Sequence, residues 1–222
     1  MERKISLVKS EILFTSDDDC SKSVTVLFLP GISGKAFSER FQPLVDMCKE
    51  LKLSIARVEA WNSESDVQSK TWSHYHQMLS EVIEQLLDLK YTKIVTIGKS
   101  FGGGLLLSYH DKNICKKILW APAIGVGEED TLTRLKNTTL SEIHSLLDIQ
   151  LNKEFIHTDP SAICVIHGTK DDVMPIENSR KAVSVAKTGA LVEVENADHS
   201  FKTCEGERSL MEATRSFLSS EL

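Results

Sequence analysis

The chain has 222 residues, 41% of them apolar, which is enough for one sizeable core, so a single domain is the expectation. A net charge of −6 gives no electrostatic basis for binding nucleic acid, and the nearest basic cluster, Lys116-Lys117, is too short to follow a phosphate backbone. The opening "MERKISLVKSEIL" is interrupted by charge throughout and no apolar run approaches spanning length, so neither a signal peptide nor a membrane span is expected.

Elements follow in chain order from hydrophobic periodicity. "KISLVKSEILF" near the N-terminus reads as an edge strand or short hairpin, followed by the polar turn "TSDDDCSKS". "VTVLFLP" (24–30) is a strand apolar on both faces. Residues 43–51 open with Pro43 at an early helical position and turn Leu44, Val45, Cys48 and Leu51 inward. "SIARVEA" (54–60) is a strand. In 70–90, Tyr75, Met78, Leu79, Val82, Ile83, Leu86 and Leu87 form one helical stripe. "KIVTIG" (93–98), "KKILWAP" (116–122), "AICVIHG" (162–168) and "ALVEVEN" (190–196) are further strands, and a helix begins near Phe101. Residues 207–221 place Leu210, Met211, Thr214, Phe217 and Leu218 on one helical face.

Strands alternating with helices give an α/β fold, a mainly parallel sheet with helices on both faces. No internal repeat or linker interrupts it. Only about 125–160 breaks the alternation, and that insertion is expected to be a small cap over a pocket. The five cysteines, Cys20, Cys48, Cys115, Cys164 and Cys204, are scattered and contain no CxxC pair. They read as reduced thiols of a cytoplasmic protein, not as a disulfide frame or a zinc site.

Chemistry concentrates in "VTIGKSFGGG", residues 95–104. Ser100 falls where a strand turns into a helix, at the sheet edge where ligands of open α/β folds bind. A serine on so tight a turn has a strained backbone and an outward hydroxyl, and residues two away on each side must be tiny. Gly98 and Gly102 satisfy that requirement, which gives the G-x-S-x-G nucleophile elbow. A plain glycine-rich turn is the alternative. A phosphate loop fails, because Lys99 precedes Ser100 without the upstream glycine of the Walker pattern.

A nucleophilic serine needs a base and an acid that orients it. The last two strands end in "HGTKDDVMP" (167–175) and "NADHSF" (196–201), so Asp171, Asp172 and His199 lie in loops opening on the same edge as Ser100. The order Ser, Asp, His is the order of that fold.

These segments resemble the α/β-hydrolase superfamily over nearly the whole chain, in particular its small carboxylesterase and dienelactone-hydrolase-like members. "GKSFGG" resembles the elbow, "HGTKDDVMP" the H-G-x-x-D-x-x-V-P acid loop with Met174 at the valine position, and "NADHSF" the histidine loop. "FLPGISG" (28–34) resembles the oxyanion loop, with Pro30-Gly31 where His-Gly is common. The resemblance implies that His199 deprotonates Ser100 for attack on an ester or thioester of a small to medium acyl group. It implies further that Asp171 orients His199, with Asp172 as the alternative acid, and that the Ile32 and Phe101 N–H groups bind the oxyanion. No metal or organic cofactor is implied. The same triad also serves acyl transfer or peptide cleavage, and a non-enzymatic binding protein is a further alternative. Oligomeric state is not readable.

Other residues have simpler readings. His74 and His76 fall on different sides of a helix, unsuited to a metal pair. His167 is expected to pack at the base of the acid loop, and His110 and His144 to face solvent or cap. Trp61, Trp72 and Trp120 are candidates for either pocket lining or core.

Overall fold

The computed structural model describes residues 2–6, 11–16, 23–32, 34–61, 63, 66–67, 70–124, 156 and 158–220. Most of the expected cap-like insertion lies outside these residues, as do His144 and the acidic stretch at 17–20.

The described strands form one sheet of eight. They are β1 (Glu2–Ser6), β2 (Glu11–Thr15), β3 (Val24–Leu29), β4 (Ser54–Glu59), β5 (Lys93–Lys99), β6 (Ile114–Trp120), β7 (Ala162–Gly168) and β8 (Gly189–Val194), in the spatial order β1-β2-β4-β3-β5-β6-β7-β8. β1 pairs antiparallel with β2, and β2 with β4; the remaining pairs are parallel. The N-terminal segment is thus a hairpin that closes one edge.

The helices are α1 (Gln42–Glu50), α2 (Trp72–Asp88), α3 (Phe101–Leu107), α4 (Ile176–Val185) and α5 (Cys204–Ser219). Alternation along β3 divides the core between them. Leu27 and Leu29 belong to the layer that contains Met78, Leu79 and Val82 of α2 and Leu105 and Leu106 of α3. Val26 and Phe28 belong to the opposite layer, with Leu44 and Val45 of α1 and Leu210 and Leu218 of α5. Because both faces are covered, every residue of β3 is buried, whereas the edge strand β8 buries only Val194. Threonine hydroxyls start two of the helices: Thr71 accepts from the His74 N–H at 3.3 Å and Thr203 from the Gly206 N–H at 3.0 Å.

Several details depart from the sequence reading, among them β6, which spans Ile114–Trp120 in place of 116–122, and α5, which begins at Cys204 in place of 207. β8 stops at Val194, because Asn196 takes a left-handed φ of 60° that ends the extended run. α4 was not separable by pattern, since half of its buried set (Ile176, Asn178, Ser179, Ala182) is polar. His110 faces solvent only in part: its ring also stands 3.1 Å from the buried Asp159 carboxylate.

The Lys116-Lys117 pair has an internal role. Lys116 donates to the Phe217 and Ser220 carbonyls, closing the C-terminus of α5. Lys117 is fully buried and donates to the Tyr109 carbonyl at 2.6 Å and to Asp159 at 2.5 Å. Asp159 in turn takes the Ser161 N–H and hydroxyl. Among the described residues no helix is long and apolar enough to cross a membrane.

A buried charge that loses its partner is strongly destabilising, by about 3–5 kcal/mol. Asp159→Ala is therefore expected to lower the unfolding free energy by about 3 kcal/mol or more in urea titrations, through the stranded Lys117 ammonium. A change below about 1 kcal/mol would contradict this role.

Candidate active site

β5 ends at Lys99 and α3 begins at Phe101, so a single residue makes the turn. That residue, Ser100, has φ 50° and ψ −115°, a conformation that L-residues rarely adopt. Its backbone is held from three directions. The N–H donates to the Trp120 carbonyl at 2.9 Å, while the carbonyl accepts from Ala123 at 2.9 Å and Gly104 at 3.0 Å. The flanking glycines are a steric necessity. A Cβ on Gly98 would lie 2.7 Å from the Gly102 carbonyl oxygen, and one on Gly102 would lie 2.5 Å from the Pro30 oxygen.

The turn aims the Ser100 hydroxyl at His199, whose Nε2 is 3.0 Å away. His199 Nδ1 is 2.7 Å from Asp171 Oδ2. Nδ1 therefore carries its proton toward the carboxylate, leaving Nε2 as the acceptor facing the serine. Asp172 is exposed and takes no part in this chain of bonds.

Asp171 is buried and its second oxygen is also occupied. Oδ1 accepts the N–H groups of Val173 at 2.9 Å and Met174 at 2.7 Å, an Asx-type turn that folds the acid loop around the carboxylate. His167 supplies a further donor. Its Nε2 faces two acceptors, Asp171 Oδ2 at 3.0 Å and the Met174 carbonyl at 3.1 Å, so Nε2 bears the proton. Its Nδ1 then accepts from the Ser179 hydroxyl at 2.7 Å, anchored on α4.

The other half of the site is the turn after β3. Gly31 lies against the elbow, and a Cβ there would sit 3.3 Å from Ser100 Cβ. Its carbonyl accepts from the Gly34 N–H at 2.9 Å and from the Trp61 indole N–H at 3.1 Å. In a trans peptide the C=O and the next N–H point opposite ways, so the Ile32 N–H is turned away from both donors. The Phe101 N–H, first in α3, has no intrahelical carbonyl to bond. The Phe101 ring is fixed by Trp61 at 5.0 Å, Tyr75 at 5.6 Å and Trp72, stacked at 5.7 Å. Trp120 is elsewhere: it is buried on the opposite face and donates to Thr214.

Residues 51–215 match the model of the uncharacterised protein family UPF0227. The chain belongs to that family. No curated protein sequence matches it. Among solved structures, this UPF0227 member is similar to Est1E from Butyrivibrio proteoclasticus, with a TM-score of 0.77, 14% identity, and coverage of 98% of this chain and 97% of that one. It is similar also to a monoacylglycerol lipase from Paleococcus ferrophilus (TM-score 0.74, 14% identity, 95% and 98% covered). A third is a dienelactone hydrolase from Anabaena variabilis (TM-score 0.74, 14% identity, 100% and 99% covered). The UPF0227 chain has the α/β-hydrolase fold.

Three groups at this site were not assigned a role from sequence. His167 was expected only to pack, and it also holds the carboxylate; the signal was its spacing of four from Asp171. Trp61 bonds Gly31 across thirty residues, which no local pattern reveals. Lys99 reaches behind the histidine loop to the His199 carbonyl at 2.6 Å.

Burial governs the site's electrostatics. Burial alone would raise the Asp171 pKa, but hydrogen bonds from His167 and His199, joined by the rings' positive charge when they are protonated, hold it well below the usual carboxylate range. His199 is pushed below the ordinary imidazole value, first by burial and also by the Lys99 charge, against the bond to Asp171, which raises it. Lys99 is pulled down to about 8 by burial and by nearby Arg40.

The His199 ring should consequently titrate with a midpoint below 6.5, read from its imidazole proton resonances across a pH series. Asp171→Asn removes the partner that raises it and should move the midpoint lower still; an upward movement would contradict this balance.

Proposed function

We propose that the protein is a serine hydrolase that cleaves a carboxylester or thioester of a small to medium acyl group through an acyl-enzyme. The observation that carries the reading is the unbroken chain of bonds from the Ser100 hydroxyl through His199 to Asp171, set on a strained elbow. The ester-hydrolase names borne by proteins of the same fold, a monoacylglycerol lipase and a dienelactone hydrolase, support the choice of bond.

In this reading neutral His199 Nε2 takes the Ser100 proton as Oγ bonds to the carbonyl carbon. The carbonyl π electrons move to oxygen, and the Ile32 and Phe101 N–H groups receive the oxyanion. Collapse breaks the bond to the leaving alcohol or thiol, which takes the proton from His199 Nε2. Water, deprotonated by the same nitrogen, then attacks the acyl carbon and releases the acid and Ser100. Asp171 stays ionised and stabilises the imidazolium formed in each half, and His167 keeps its carboxylate in place. Trp61 and the Gly34 N–H set the peptide that presents the Ile32 donor.

A panel of activated carboxylesters, acyl thioesters and peptides tests the reading. Ester or thioester turnover is expected, reduced on the order of 10⁶-fold in Ser100→Ala and on the order of 10⁴-fold in Asp171→Asn. Turnover of peptides alone, acyl transfer in place of hydrolysis, or ligand binding without turnover would replace it with one of the other uses of the fold.

Two further outcomes follow from the geometry. The rate should rise with pH through a midpoint below 6.5, because the reaction needs His199 neutral and burial keeps its pKa low. Trp61→Phe leaves the Gly31 carbonyl with one donor and should lower kcat roughly 10-fold to 100-fold with little change in KM, since the misplaced amide matters in the transition state. A change confined to KM would contradict that role.

A further inference from the structure

Behind the histidine loop, on the face covered by α1 and α5, lies a cavity of about 230 Å³. Neither Ser100 nor His199 lines it, but their chain neighbours Lys99, Ser200 and Phe201 do. Its apolar wall is formed by Phe41, Leu44, Trp120, Leu210 and Met211. Three cations line it, Arg40, Lys99 and Lys202, with one carboxylate, Glu207; Asp198, outside the lining, pairs with Lys202 at 4.0 Å and also acts on Lys99.

Lys99 is the informative group. It is only 7% exposed, and its described hydrogen bond, to the His199 carbonyl, uses one of three N–H donors. The ammonium also stands 5.4 Å from the centre of the Phe201 ring. Arg40 likewise spends a donor on the neighbouring Ser200 carbonyl and keeps most of its fork for another acceptor. A confined space with an excess of N–H donors and positive charge beside an apolar wall suits an anion that carries an apolar body. A bare inorganic anion would leave that wall uncovered, and a neutral ligand would give the remaining Lys99 and Arg40 donors no charged acceptor inside the cavity. The volume falls below the roughly 300–1,000 Å³ of sites for drug-sized ligands, so the occupant is smaller than these.

We propose that this cavity binds a small monocarboxylate with an aliphatic or aromatic tail, its carboxylate on Lys99 and Arg40 and its tail on Phe41, Leu44 and Leu210. That this is the class of acid released by ester hydrolysis rests on the serine-hydrolase reading; the site itself does not. The same two cations hold the carbonyls of His199 and Ser200, so an occupant shares the donors that seat the histidine loop.

The test is calorimetric titration of the Ser100→Ala protein with octanoate, with octanol as the neutral analogue and inorganic phosphate as the bare anion. Saturable one-to-one binding of octanoate is expected, at least about tenfold tighter than octanol or phosphate. Arg40→Gln, at an exposed position, should weaken it about tenfold, and Met211→Trp, which fills the cavity from its rim, should abolish it. Equal affinity for octanoate and octanol, phosphate binding as tight as octanoate, or binding indifferent to both variants would overturn the site. In the wild type, inhibition of turnover by octanoate that added ester fully relieves would place it at Ser100 instead, and would also overturn it. The two readings fail separately: a protein without turnover that still binds octanoate keeps the cavity site, and an active one that does not bind loses it.

Discussion

One backbone conformation organises this molecule. Ser100 at φ 50° carries strain of about 1–3 kcal/mol, and such a residue persists only where its surroundings over-determine it. Here the surroundings are the parallel sheet itself. The Trp120 carbonyl at the end of β6 receives the Ser100 N–H, and Ala123 beyond β6 donates back to the Ser100 carbonyl. The helix that follows approaches so closely that any side chain at Gly102 would collide with the backbone after β3. The position of the hydroxyl is thus a consequence of strand register, and the loops after β3, β7 and β8 meet it because parallel strands deliver their C-terminal ends to one edge.

The second constraint is the buried carboxylate. The Asp171 side chain is fully buried, and four N–H groups surround its carboxylate: two backbone amides of its own loop and one nitrogen from each of two histidines. This shell keeps the acid ionised and fixes the tautomer of His199. It also explains why a polar helix residue, Ser179, is buried: its hydroxyl settles the orientation of His167, one layer removed from the serine. Lys99 and Arg40 complete the frame by holding the carbonyls of His199 and Ser200 from behind.

What was legible in the sequence was what local sterics and periodicity dictate. G-x-S-x-G could be recognised because the elbow's crowding acts on residues two positions away, and β3 and β5 because burial on both faces demands continuous apolar runs. Ser100, Asp171 and His199 could be paired because strand ends place them on one edge, and the structure brings these three together. Contacts set by tertiary packing were hidden. His110 looked like a surface residue, since its partner Asp159 is supplied by chain far downstream. The Trp61–Gly31 bond and the reach of Lys99 behind the loop depend on how whole layers stack. α4 was missed because its inward face carries Asn178, which bonds the Ile124 carbonyl, and Ser179, which bonds His167, and both weaken the apolar stripe.

The central claim is that Ser100 is an activated nucleophile with His199 as its base. The most direct measurement is mass spectrometry of the intact protein and its peptides after exposure to a fluorophosphonate. The account predicts one adduct per chain, located on Ser100, formed by the wild type and absent from Ser100→Ala and His199→Ala. A folded wild-type protein that takes up no adduct, or one modified at another residue, would contradict it.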